Sequence, residues 1–192
     1  MKSISREEIA AFDVEEFNGR IFVIDSPDKA DQAINYLSGF NNLGFDTETR
    51  PSFTKGNLNN MALIQLATND RCYLFRINRI GFLPSLIRLL SNANIRKIGL
   101  SLKDDFLGMS RRMQFTPQGF IDLQKIVLEH NIADTGLQKV YAILFQKKIS
   151  KNQQLSNWEA EKLSEAQKKY AALDAWACLK IYEKLCLTNE ST

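Results

Sequence analysis

Leu43-Gly44-Phe45-Asp46-Thr47-Glu48-Thr49 is the stretch from which both the architecture and the chemistry of this 192-residue chain are read. Its apolar start and β-branched positions mark a strand. Alternation along a strand puts Leu43, Phe45 and Thr47 on one face and Asp46 with Glu48 on the other. Two carboxylates spaced by two strand residues lie ~6.6 Å apart and can both reach one cation between them. A lone D-x-E pair is equally a polar strand end facing water. Its meaning depends on what other acids the fold brings to it.

Around this strand the chain reads as alternating elements. A helical segment from Ser5 to Phe12 precedes a short strand, Ile21 to Ile24. Ser26-Pro27 opens a helix towards Leu37, with proline at the first helical position. After Thr49 comes an irregular stretch, Arg50 to Asn60. Met61 to Ala67 and Cys72 to Phe75 are strands separated by the turn signal Thr68-Asn69-Asp70. A helix over Leu83 to Leu90, a strand at Arg96 to Gly99, a helix over Leu102 to Met113 and a strand at Phe120-Ile121 follow. The pattern from Asp122 onwards is helical. This order predicts an α/β domain, a mixed sheet of five or six strands flanked by helices. With no repeat or linker, residues 1–192 read as one domain, its core spanning about 21–186 behind an N-terminal helical extension, 1–20.

Two further acids stand in apolar surroundings. In Leu102-Lys103-Asp104-Asp105-Phe106 the helical wheel separates two aspartates: Leu102, Phe106, Met109 and Met113 form one stripe, Asp105 leans over its edge, and Asp104 points to solvent. In Ser164-Glu165-Ala166-Gln167-Lys168-Lys169-Tyr170-Ala171-Ala172-Leu173-Asp174, Ser164 and Gln167 form a capping box that starts a helix. Tyr170 and Asp174, four residues apart, share a face. Ala177, Cys178 and Ile181 flank Asp174 there, so it is an acid inside an apolar stripe. A buried unpaired carboxylate needs a cation, hydrogen bonds or a proton. Four carboxylates on one site repel by ~4 kcal/mol per close pair even at an effective dielectric of 20. Divalent ions resolve that repulsion, and an all-oxygen donor set suits Mg²⁺ or Mn²⁺. Two such ions ~3.5–4 Å apart form the clamp that serves phosphodiester cleavage.

Composition removes other classes. The longest apolar run, Val140 to Phe145, is far shorter than the ~20 residues of a membrane span. The start, Met-Lys-Ser-Ile-Ser-Arg-Glu-Glu, places acids where a signal peptide needs apolar residues. Cys72, Cys178 and Cys186 are scattered and odd in number, as reduced thiols of an intracellular, cytoplasmic (or nuclear) protein are. His130, the single histidine, falls near a helix end and excludes a histidine-rich metal centre. Residues 1–48 carry 4 basic and 10 acidic side chains, a net of −6; residues 49–192 carry 21 and 12, a net of +9. A basic body suits a polyanion.

Together these residues resemble a known family. Gly44-Phe45-Asp46-Thr47-Glu48-Thr49, the region ending at Asp105, and Tyr170-Ala171-Ala172-Leu173-Asp174-Ala175 resemble the three motifs of the DEDD 3′–5′ exonucleases. The Y-x-x-x-D form resembles the tyrosine branch. Met61 to Ala67, Cys72 to Phe75 and Leu155-Ser156-Asn157-Trp158 resemble the flanking segments. The similarity is greatest to the Werner-syndrome-type exonuclease domain, then to ribonuclease D. The resemblance implies a ribonuclease H-like fold with two divalent cations. It assigns Asp46, Glu48 and Asp174 to the first ion, Asp46 also to the second, Asp105 to the second, and Tyr170 to the attacking water. The implied reaction is hydrolysis from a nucleic acid 3′ end, with DNA favoured and ribonuclease D-like action on RNA as the alternative. A non-catalytic nucleic-acid-binding module is the more distant reading. Thr47, Phe53 and Lys151 are candidate substrate-binding residues, Phe53 by stacking on a base. The departure is Ser101, where many relatives carry Asn.

Overall fold

The structure is a computed structural model that describes residues 1–52 and 59–187. In chain order the helices are α1 (Arg6–Ala10), α2 (Pro27–Leu37), α3 (Ile77–Ile80), α4 (Pro84–Leu90), α5 (Lys103–Ser110), α6 (Leu123–Glu129), α7 (Leu137–Phe145) and α8 (Glu165–Tyr182). A π-helical turn, Glu183–Leu187, continues α8. The strands are β1 (Arg20–Ile24), β2 (Asn42–Thr49), β3 (Met61–Ala67), β4 (Arg71–Phe75), β5 (Arg96–Gly99) and β6 (Phe120–Asp122). They form one six-stranded mixed sheet in the order β1-β4-β3-β2-β5-β6. β2, β3 and β4 pair antiparallel, while β1 on β4, β5 on β2 and β6 on β5 are parallel.

Both faces of the sheet are covered, which explains why β3 is buried at every position. One face packs Leu43, Phe45, Ile64 and Leu66 against α2, α4 and α5 through Leu37, Leu86 and Met109. The other packs Leu63, Ala67 and Leu74 against α6, α7 and α8 through Val127, Val140, Ala172 and Leu179. α8 runs across β2, β3, β4 and β5. Its start is set by the predicted capping box, Ser164 Oγ accepting from Gln167 N at 3.2 Å and Gln167 Oε1 from Ser164 N at 3.0 Å. The N-terminal extension is tied down as well. Its α1 is closed by a capping box of Ser5 with Glu8, Phe17 lies 5.8 Å from Trp176, and Tyr141 donates to Glu15 at 2.8 Å.

Three local expectations need correction. α3 follows β4 with no apolar periodicity to announce it, because four residues make a single turn. α5 ends at Ser110 and leaves Met113 37% exposed rather than on the buried stripe. Residues 146–164 are mostly turns and loop, although the chain beyond Asp122 otherwise reads as helical. His130 is the C-cap of α6, as its position suggests. Among the described residues, no helix is long and apolar enough to cross a membrane.

β2 and α8 approach closely in the core. A Cβ placed on Gly44 would meet the Ala175 carbonyl oxygen at 2.0 Å. Only glycine lets the helix backbone settle onto the strand there. Gly44→Ala must therefore push α8 away, and overpacking of this kind costs about 1–3 kcal/mol. The expected result is a lower Tm in thermal unfolding. An unchanged Tm would show that α8 does not rest on Gly44.

Candidate active site

The seat of α8 on Gly44 determines where its acid goes. Asp174 precedes Ala175, the residue whose carbonyl touches β2, and so faces the strand two residues beyond Gly44. Asp46, Glu48 and Asp174 each offer a carboxylate oxygen, and these oxygens all lie within 4.8 Å of one another. Glu48 and Asp174 are buried and Asp46 is half-buried. A β-bulge between Glu48 and Thr49 shifts the pairing with β3 immediately after the second acid.

Tyr170 sits one turn before Asp174, its hydroxyl close enough to the Asp174 carboxyl group to favour the anionic form of that acid. The buried Trp158 backs it, with ring centroids 6.0 Å apart. Asp105 stands outside the tight cluster, in the first turn of α5. The Thr47 hydroxyl donates to its Oδ1. Thr47 lies on the face of β2 that α5 covers, so its side chain engages Asp105 rather than standing free. Asp104 is exposed, as the helical wheel requires.

The turn before α5 is held by a residue that sequence reasoning passed over. Asp122, at the end of β6, accepts from the backbone N–H groups of Ser101 and Leu102, both at 3.0 Å, and from Gln124 N at 3.0 Å. Ser101 has φ 64°, a left-handed backbone uncommon for serine. The legible signal for this clasp is an aspartate placed where a strand passes into a helix.

A cavity of about 290 Å³ opens over the acids. Its walls include Leu100, Leu137, Gln138, Ser150 and Lys151, with Tyr170 at the rim of the carboxylate floor. Lys151 is exposed and its charge favours the anionic form of Asp174. Of the lysines that precede it from Thr135 onwards, Lys139 pairs with Asp134 at 2.7 Å and Lys148 donates to the Ala10 carbonyl at 2.8 Å. Phe53 lies outside the described residues.

A family model described as 3′–5′ exonuclease matches residues 21–188. The chain belongs to that family, within the DEDD superfamily. It is 34% identical over 155 residues to the mouse bifunctional 3′–5′ exonuclease/ATP-dependent helicase WRN, covering 78% of this chain and 11% of the relative. The chain therefore spans about a tenth of that protein's length. Among solved structures it resembles the Aedes aegypti Nibbler EXO domain, with TM-score 0.79 and 24% identity over 89% of this chain and 90% of that one. It also resembles Trypanosoma brucei RNase D in complex with RNA U12, with TM-score 0.79 and 20% identity over 88% and 63%. These likenesses agree with the six-stranded α/β architecture and with a ribonuclease H-like fold.

The exonuclease-family site is electrostatically unbalanced. Burial, then the charges of Asp174 and Asp105, pushes Asp46 well above the usual carboxylate range. Burial, then its acidic neighbours, pushes Glu48 up to about 10. Burial raises Asp174 to about 7 against the opposing effects of Tyr170 and Lys151. Asp105 is raised to about 6 by burial, with the Thr47 hydrogen bond opposing. Asp174 Oδ1 is buried and has no hydrogen-bond partner among the described residues. An all-oxygen set with an unpaired buried lone pair fits a hard divalent cation, and these residues can hold one.

The pH dependence follows from these shifts. Carboxyls raised in the folded state make it bind more protons than the unfolded chain, so metal-free stability falls as pH rises from about 4 through 6 and 7. Divalent ions should reverse this, because they bind the anionic form. Thermal unfolding in EDTA is expected to show a lower Tm at pH 8 than at pH 6, and Mg²⁺ or Mn²⁺ should raise Tm more at the higher pH. Equal responses at the two pH values would separate the acids from ion binding.

Proposed function

We propose that this chain is a metal-dependent 3′–5′ exonuclease of the tyrosine branch. It hydrolyses phosphodiester bonds at DNA 3′ ends and releases nucleoside 5′-monophosphates. The observation that carries the reading is the cluster of Asp46, Glu48 and Asp174 on the cavity floor with the Tyr170 hydroxyl beside it. Asp46, Glu48 and Asp174 would hold a first Mg²⁺ or Mn²⁺, and Asp46 with Asp105 a second. When bound, such ions supply Lewis-acid activation of water and neutralise charge developing at the scissile phosphate.

The chain's own residues do the rest. Burial and the neighbouring acids push the Tyr170 phenol far above neutrality, so it stays protonated and acts as a hydrogen-bonding group rather than a base. In this reading its role is to orient the water that attacks phosphorus. The new bond joins water oxygen to phosphorus, the bond from phosphorus to the 3′ oxygen of the preceding nucleotide breaks, and that oxygen ends protonated. Lys151, on the cavity wall, is suited to a phosphate of the retained strand. The preference for DNA rests on the resemblance of the three motifs to the Werner-syndrome-type exonuclease domain, with which the 34% identity to WRN agrees.

A 5′-labelled oligonucleotide with Mg²⁺ or Mn²⁺ tests this directly. The wild-type chain should yield a ladder shortening from the 3′ end, and Asp46→Ala should abolish it. Matched DNA and RNA strands should be degraded in that order of preference. A strong RNA preference would move the assignment to 3′–5′ exoribonuclease, and tight binding without turnover would make the chain a binding module.

Tyr170→Phe keeps the ring against Trp158 and removes only the hydroxyl. Misplacing the water should lower kcat about 10²-fold while leaving KM nearly unchanged. Equal losses of kcat and of DNA affinity would assign Tyr170 to substrate binding instead.

A further inference from the structure

β3, Met61-Ala62-Leu63-Ile64-Gln65-Leu66-Ala67, carries one side chain that the core does not account for. Gln65 is 0% exposed, and among the described residues neither its Nε2 nor its Oε1 has a hydrogen-bond partner. A buried amide unpaired at both ends opposes folding. Leucine or methionine would fill the space without that penalty, so packing does not explain a glutamine here.

The register supplies an explanation. Gln65 pairs directly with Asp46 on one side and with Leu74 on the other. Directly paired residues of antiparallel strands point to the same face, with Cβ atoms about 4.5–5.5 Å apart. The face is the one covered by α8, where Leu63, Ala67 and Leu74 are packed. Asp46 is thus the polar one of Gln65's two paired neighbours. Metal-ligating carboxylates are themselves held by hydrogen bonds from a surrounding shell. Asp46 is the acid for which that matters most, since the reading above places it on both ions.

We infer that Gln65 is a positioning residue for Asp46: in the ion-loaded site its amide N–H donates to the Asp46 carboxylate and fixes which oxygen turns towards the ion. The inference rests on the metal-dependent reading of the site. Gln65 itself touches neither substrate nor ion. Its unpaired state in the metal-free protein is the cost of a group arranged for the loaded one.

Gln65→Met, which keeps length and shape but removes the amide, separates the possibilities. Two readouts are needed besides activity: thermal unfolding in EDTA, and Mn²⁺ affinity by calorimetric titration at neutral pH. The expected results have opposite signs. Metal-free Tm should rise by about 2–4 °C as an unpaired buried group is removed. Mn²⁺ affinity should fall about 10–100-fold as Asp46 loses its support. Unchanged Mn²⁺ affinity would reduce Gln65 to a core residue and overturn the inference. So would a lower metal-free Tm or a variant that does not fold, because the amide would then be needed without the ion. Absence of Mn²⁺ binding by the wild-type chain overturns the metal-dependent reading itself, and this inference with it.

Discussion

The contact of α8 with β2 at Gly44 is the constraint on which the site depends. A helix backbone resting directly on a strand carries Asp174 into the company of Asp46 and Glu48 whether or not three acids favour meeting. Their repulsion, ~4 kcal/mol for a close ionised pair at an effective dielectric of 20, has to be outweighed by packing. α8 has the means. It buries Leu173, Leu179 and Ile181 along with four alanines and Cys178 of the same helix, and each large aliphatic side chain contributes about 1.5–3 kcal/mol. Burial shifts every acid of the group upward, and the neighbouring acids add to the shift for Asp46 and Glu48, so protonation relieves the site in the absence of ions. Packing fixes the geometry, and proton occupancy absorbs its electrostatic cost.

The distribution of the chain's buried cations fits the same logic. Lys97 is fully buried, yet its ammonium donates to the carbonyls of Leu89, Asn92 and Ile95 at 3.2, 2.7 and 2.7 Å, and burial lowers its pKa to about 8. Arg76 is 2% exposed and donates to the Ala160 carbonyl at 2.6 Å. Both hold loops and helix ends together away from the acids. Among the described residues Lys151 is the basic group that favours the anionic form of Asp174, and it does so from an exposed position. An internal Arg or Lys salt-bridged to the cluster would neutralise the acids at a desolvation cost and occupy the place a divalent ion needs. The ion pairs among the described residues lie away from Asp46, Glu48, Asp105 and Asp174, an arrangement that suits neutralisation by a bound cation.

Particular residues show where sequence reasoning reaches and where it stops. Period-two alternation put Asp46 and Glu48 on one face, and the observed cluster has that arrangement. The helical wheel chose Asp105 over Asp104, and the capping box located the start of α8. These readings succeed because a single element decides each of them. The exposure of Met113 was not legible, since local periodicity carries no information on where a helix gives way to a turn. The separation of Asp105 from the other three acids depends on how α5 lies against the sheet edge, a property of two layers. Gln65 was visible as a polar interruption in an apolar strand, but its meaning requires the register with Asp46.

Asp105 also shows how the site is divided. Asp46, Glu48 and Asp174 stand on a strand and a helix in direct backbone contact, so that half cannot shift without unseating the core. Asp105 is held instead through a turn: Asp122 clasps the N–H groups of Ser101 and Leu102, and Thr47 steadies the carboxylate from β2. The turn demands φ 64° at Ser101. Asparagine, which the DEDD resemblance leads one to expect there, visits that left-handed region more readily than serine. The substitution thus raises the strain of the turn while leaving its shape to the Asp122 clasp. The consequence is local: a serine at this position weakens the support of Asp105 alone and leaves the three-carboxylate cluster on β2 and α8 untouched.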